Sequence, residues 1–288
     1  MLKLQEVSIQ YSDNVTETRP SQPDNLPSLV DTHIMEVQSW LGTRAPNAQR
    51  FEETGFKAVS SGLDVPLLNL VLGCRSPIGI SNESIGYHIE LIREFFAERG
   101  VAWSWWIGPS PTPVNIGQHL ERHGLHPVSS RPAMVASLSA AQSASPSGIS
   151  VWQARSLLDL EAASTIRRIA FCFPYGTALN YFESMADDWL NSDNVRLFLA
   201  RAGDGAPAAM GALITGAGMP GVYAMATLPE WSRRGLGTAI LHRIMSEAAA
   251  DGHQFIALTA SRYGYPLYQR VGFEHIFDYT IYRDLSGF

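Results

Sequence analysis

Between Thr227 and Ala249 the chain reads TLPEWSRRGLGTAILHRIMSEAA: the end of a strand, a tight loop, then a long helix. A pyrophosphate needs several N–H donors converging on one point, and a helix N-terminus offers unpaired amides with a favourable dipole. Gly235 and Gly237 let the main chain approach phosphates with no Cβ in the way, and they tolerate positive φ. Arg233 and Arg234 add charge-assisted contacts to a pyrophosphate or to the ribose phosphate of a nucleotide carrier. A bare GxG says little on its own, because many glycine-bearing helix entries contain one. The surroundings supply the specificity. Ile240, Leu241, Ile244 and Met245 fall on one face of a helix over Leu236 to Asp251, and Gly252 is placed to stop it.

Around this loop the chain alternates strand-like and helix-like segments in two blocks, which predicts α/β organisation with mixed sheets flanked by helices. In the second block the pattern predicts a strand over Ile149 to Gln153 and helices over Leu157 to Phe171 and about Ala178 to Leu190. Strands follow over Val195 to Arg201, Ala208 to Gly216, Val222 to Leu228 and Phe255 to Thr259. A helix over Pro266 to Val271 stops at Gly272, and two final strand segments span about Phe273 to Leu285. The first block ends in the same order, with helix Ser84 to Arg99, strand Val101 to Ile107, helix Val114 to His123 and strands to Leu138. LERHGL at Leu120 falls on YQRVGF at Tyr268, and ERGVAWSWWI falls on ADGHQFIALT, so the chain reads as an internal repeat. SAAQSASPSG between the blocks is small, polar and without apolar period, as a linker is. The boundaries are therefore 1–138, a linker at 139–148, and 149–288. Ser12 to Pro27 reads as an extended arm.

The segment around Ser232–Thr238 resembles motif A of the GNAT superfamily (GCN5-related N-acetyltransferases), Gln/Arg-x-x-Gly-x-Gly/Ala at the start of the helix after the fourth strand. Gly235 and Gly237 match; the leading position is Ser232. PLYQRVGF is similar to the ending of the family's motif B. The resemblance covers about Ile149 to Asp284 well and the first block weakly. It implies two tandem GNAT-like domains, the first divergent and non-catalytic, with acetyl-CoA as cosubstrate and no metal. It further implies that the amides of Arg233, Arg234, Gly235, Leu236, Gly237 and Thr238 cradle the pyrophosphate. Met225, Ala226 and Thr227, on a strand splayed from its neighbour, would pair with the pantetheine amides, and Tyr268 would stand near the CoA sulfur. The chemistry agrees, since amine attack on a thioester expels a thiolate that a phenol of pKa about 10 can protonate. Tyr263 and Tyr265 read as lining residues.

A general base is not evident. An amine acceptor must lose a proton before attack, often through water to a carboxylate or histidine. The strand Val222 to Leu228 has no acidic residue, which leaves Glu230, Glu183, Asp187, Asp188, His253 and His242 as candidates, each with an ordinary surface or structural reading. Phe171-Cys172-Phe173-Pro174-Tyr175-Gly176 is placed to cover an acceptor groove or to anchor the core. Cys172 as an acyl carrier lacks a recognisable His/Asp partner. In the first block Glu83 and Ile85 fall where the second has Gly235 and Gly237, and Leu120 replaces Tyr268. A carboxylate and bulk there would repel a pyrophosphate. Trp103, Trp105 and Trp106 alternate along a strand, which favours core and interdomain packing over a stacking platform.

The formal net charge of -6 argues against a nucleic-acid partner. Two cysteines, in no CxxC pair, fit a reduced protein, and no apolar run is long enough to span a membrane, so a cytoplasmic setting is expected. The reading is an N-acyltransferase using acetyl-CoA on a primary amine of a small molecule, as monomer or homodimer. The alternatives are a non-catalytic acyl-CoA-binding module and a protein N-acetyltransferase.

Overall fold

A computed structural model describes residues 25–53, 55–74, 81–138, 148–173 and 181–285. Most of the linker at 139–148 and most of the arm at Ser12 to Pro27 lie outside these, as do 174–176 and the start of the helix expected near Ala178. In chain order the first block holds α1 (Leu26–Thr43), β1 (Gln49–Glu53), β2 (Phe56–Ser60), β3 (Asn69–Cys74), α2 (Asn82–Ala97), β4 (Ser104–Ile107), α3 (Ile116–Arg122) and β5 (Leu125–Ser137). The second holds β6 (Ile149–Gln153), α4 (Leu157–Ala170), α5 (Ala186–Asn191), β7 (Val195–Ala202), β8 (Ala209–Gly216), β9 (Met219–Thr227), α6 (Leu236–Ala250), β10 (Phe255–Thr259), α7 (Tyr265–Val271) and β11 (Glu274–Asp284). Among the described residues no helix is long and apolar enough to cross a membrane.

Local signals explain the ends of several elements. Ser156 and Asp159 form a reciprocal capping box that starts α4. Gly272, at φ 101°, closes α7 in the left-handed conformation that glycine adopts without Cβ strain. The helix expected from about Ala178 is, in its described part, a single 3-10 turn at Glu183–Met185 followed by the short α5. The two expected final strand segments are one strand, β11, with register shifts near His275 and Ile281.

Each block builds an antiparallel meander, a helix, a strand that returns parallel, a short helix and a last strand. The strands of both blocks lie in one sheet, ordered β1-β2-β3-β4-β11-β5-β10-β9-β8-β7-β6. The last strands are exchanged: β11 lies against β4 of the first block, and β5 lies against β10 of the second. The two exchanged strands pair with each other down the middle, from Glu274 opposite Val135 to Asp284 opposite Leu125. The tryptophans follow the alternation: Trp103 and Trp105 enter one core with Phe96, and Trp106 faces the other way against Tyr279 of β11.

α1 has no counterpart in the sequence reading. Leu26, Val30, Ile34 and Val37 recur at helical spacing and are all buried. Its polar residues bridge the blocks: the Tyr279 hydroxyl donates to Asp31 (2.6 Å), and His33 Nδ1 donates to the Gly216 carbonyl (3.0 Å). With the Nδ1 proton so fixed, His33 Nε2 accepts from the Tyr223 hydroxyl (2.9 Å). Burial holds the His33 pKa below its usual value, so the ring is neutral.

A sheet continuous through both blocks, with strands exchanged, should unfold cooperatively. Urea denaturation followed by tryptophan fluorescence and by far-UV circular dichroism is expected to give one coincident transition. Ile281→Ala, at a buried site on β11, should shift both curves together by about 2–5 kcal/mol. Separate transitions would refute the coupling.

Candidate active site

β9 and β10 touch at a single parallel pair, Gly221 with Ala257, whereas β3 and β4 stay together over three. Past Gly221, β9 keeps its partners on β8 as far as Thr227, through a bulge where Ala224 takes φ 51°. Its opposite edge has no strand partner over 222–227 among the described residues. Gly221 is needed at the branch point, because a Cβ there would lie 2.3 Å from His33 Nε2 and 3.1 Å from the Ala257 carbonyl oxygen.

The opening between the strands is a cleft of about 940 Å³. One end is the N-terminus of α6. There Arg233 (φ 60°) and Gly235 (φ 87°, at the N-cap) take left-handed conformations, and no side chain caps the helix. Its first-turn amides are left for a ligand. Gly235, Leu236, Gly237, Thr238, Ser232 and Arg233 line the cleft, as do Met225, Ala226 and Thr227 on the free edge of β9. Arg234 does not line it; its guanidinium lies over Trp231, 4.9 Å from the ring centroid. A Cβ on Gly237 would meet only Leu267 and Thr227, at 3.6 and 3.7 Å, so the protein's own packing does not require glycine there. The room it leaves belongs to the cleft.

Tyr268 closes the other end at 7% exposure, and burial pushes its pKa up to about 12. Its ring fills the space above Gly264, where a Cβ would come within 2.8 Å of it. Tyr265 is partly buried against the same core, and Tyr263 is 79% exposed on the cleft rim. Beyond Tyr268 an inner cavity of about 190 Å³ reaches through the sheet. It shares Arg131, Phe171, Met225, Ser261 and Tyr268 with the cleft and adds Arg167, Tyr181, Phe182 and Tyr223.

The sequence-derived base candidates are not brought to this site. Glu230 and Asp187 are exposed, Glu183 accepts from the Ser164 hydroxyl, and Asp188 lies 3.8 Å from Arg44. His242 sits within α6 and His253 precedes β10; neither lines the cleft or the inner cavity. Among the described residues no carboxylate or imidazole lines either space. Cys172 lies on the outer cleft wall. Sequence reasoning missed Arg131, Arg167 and the Tyr223–His33 pair. In the first block Glu83 occupies the first turn of α2 and Ile85 is 1% exposed, so among the described residues that helix start offers no equivalent opening.

A profile of the acetyltransferase (GNAT) domain matches residues 150–266. Residues 150–266 are a GNAT domain. The fold extends the likeness over most of the chain. A GCN5-related N-acetyltransferase from Kribbella flavida is 21% identical, with a TM-score of 0.64 over 88% of this chain and 96% of that one. A second, from Sphaerobacter thermophilus, is 19% identical, with a TM-score of 0.60 over 82% of this chain and 75% of that one. A tandem GNAT protein from the clavulanic acid biosynthesis pathway is 14% identical, with a TM-score of 0.57 over 83% of each chain. No curated protein matches the sequence. The GNAT domain thus contains the splayed strands, the α6 loop and the start of α7, and the exchanged β5 adds Ser129, Ser130 and Arg131 to its cleft.

The two loop glycines are expected to fail differently on substitution. Gly235→Ala should cost about 1 kcal/mol or more in thermal stability, because its positive φ strains any Cβ. Gly237→Ala should leave the melting temperature unchanged or raise it. Gly237→Glu should abolish CoA binding in calorimetric titration, and retained affinity would remove the cradle from this loop.

Proposed function

We propose that the chain is an acyl-CoA-dependent N-acyltransferase that passes an acetyl group from acetyl-CoA directly to the primary amine of a small molecule. In this reading residues 149–288 are the catalytic half and residues 1–138 a non-catalytic partner. One observation carries it: an uncapped helix start, a strand edge without a strand partner among the described residues and a buried tyrosine converge on one cleft that continues into a small cavity.

The residues present suit the carrier. The α6 amides, with Arg233 beside them and no carboxylate lining the cleft among the described residues, would hold the pyrophosphate, and Met225–Thr227 would bond the pantetheine amides as an added strand. Bound acetyl-CoA supplies a thioester whose acyl carbon a free amine can attack, forming the C–N bond as the C–S bond breaks. Tyr268 would give its phenolic proton to the departing sulfur, and the proton that the attacking nitrogen sheds as the amide forms would pass through solvent back to the phenolate. A phenol held near pKa 12 is protonated throughout the working range, as an acid must be. With no carboxylate or imidazole lining the cleft among the described residues, the ammonium proton leaves to water and the enzyme takes up the free amine. The same lack disfavours Cys172 as a covalent carrier, since no described lining residue would deprotonate it. The inner cavity, below the roughly 300–1,000 Å³ of drug-sized pockets, suits a small acceptor better than a protein segment.

Thiol release from acetyl-CoA over a panel of amines, amino acids and aminoglycosides tests the proposal. CoA binding without thiol release from any of them would leave a binding module. Tyr268→Phe should lower kcat by about 10²–10⁴-fold while the KM for acetyl-CoA changes less than threefold. An unchanged kcat would remove the acid role. The pH profile of kcat/KM should rise with unit slope to the acceptor's own amine pKa and show no inflection near pH 6–7; an inflection there would reveal an enzymic base.

A further inference from the structure

Arg167, in the last turn of α4, is 6% exposed and lines the inner cavity. Its guanidinium is packed among rings, 4.2 Å from the centroid of Tyr181, 5.4 Å from Phe173 and 5.6 Å from Phe182. Such contacts hold the plane of the group, but they do not satisfy its N–H donors. Among the described residues, Nε and Nη1 are buried with no hydrogen-bond partner. Arg131, half-buried on β5, lines the same cavity.

Tyr181 offers Arg167 only its hydroxyl, and among the described residues no carboxylate balances these charges. Neither the inner cavity nor the cleft has an aspartate or glutamate among its described lining residues. Glu183 accepts from the Ser164 hydroxyl and makes no ion pair with Arg167 among the described residues. Residues 174–180, PYGTALN, contain no acidic side chain. A buried guanidinium with idle donors is costly unless an anion joins it, and a carboxylate matches its planar fork. Apolar and aromatic walls from Leu41, Leu68, Trp106 and Tyr223 surround the remaining space.

We infer that the inner cavity is a carboxylate subsite in which Arg167, with Arg131 beside it, binds the acid group of the acceptor. The acceptor class is then a small amino acid or a similar carboxylated amine, and the product an N-acyl amino acid. The inference rests on the N-acyltransferase reading for its turnover, but the subsite can be tested without it.

Two arms separate them. In the binding arm, N-acetyl-phenylalanine and N-acetyl-leucine are titrated calorimetrically into the CoA-loaded protein beside their uncharged carboxamides. The acids should bind at least about tenfold tighter, as a charge-assisted pair requires. Arg167→Met, which removes the buried charge at similar bulk, should erase that difference, and Arg131→Gln should reduce it. CoA titration of each variant checks that it is folded. In the turnover arm, phenylalanine and leucine are compared with phenethylamine and isopentylamine, and kcat/KM should favour the acids by about a hundredfold. Equal binding of acids and amides, or equal turnover of acids and plain amines, overturns the subsite. Tighter acid binding without thiol release from any amine supports the subsite and refutes the transferase reading.

Discussion

Two neighbouring strands that part after one pair set the terms for everything around them. Beyond Gly221 the edge of β9 gives up a full row of ladder hydrogen bonds, and buried main-chain groups without partners are costly. The opening persists because the structure around it is over-determined. The Ala224 bulge bends β9, α6 packs behind the cleft, and the His33–Tyr223 pair fills the crotch where a Cβ on Gly221 would collide. The first block shows the other outcome for the same sequence of elements. There β3 and β4 remain paired and Ile85 is buried at the helix start.

The exchanged strands tie this cleft to the first block. β5 belongs to one block by sequence and to the other by pairing with β10, and it carries Arg131 into both the cleft and the inner cavity. α1 adds a second tie through Asp31 and His33, each bonded to the second block. The first block thus lines a cleft whose loop and tyrosine come from the second.

The parts of the site visible in the sequence are those whose chemistry is local. Ser232 to Thr238 stands out within seven neighbours, and Tyr268 is singled out by the resemblance of PLYQRVGF to a family motif. The parallel order of helices and strands in the two blocks was visible for the same reason. Strand exchange was not, because an alternating pattern names the face of a strand and never its neighbour. Tyr223 and His33 are 190 positions apart, and nothing local joins them. Arg167 sits in STIRRIA, where two arginines near a helix end look like a solvated last turn. The apolar spacing of α1, at Leu26, Val30, Ile34 and Val37, follows directly on a polar stretch that masks the helix start.

The central β5–β11 seam also has a consequence for mass action. Two separate subunits trading their last strands would hold together only as their concentration allowed. Here the trade is completed within one polypeptide, so each strand meets its groove at an effective concentration fixed by the chain. Dilution leaves such an intertwined pair intact, and the arginine that β5 delivers stays in the cleft at any abundance of the protein.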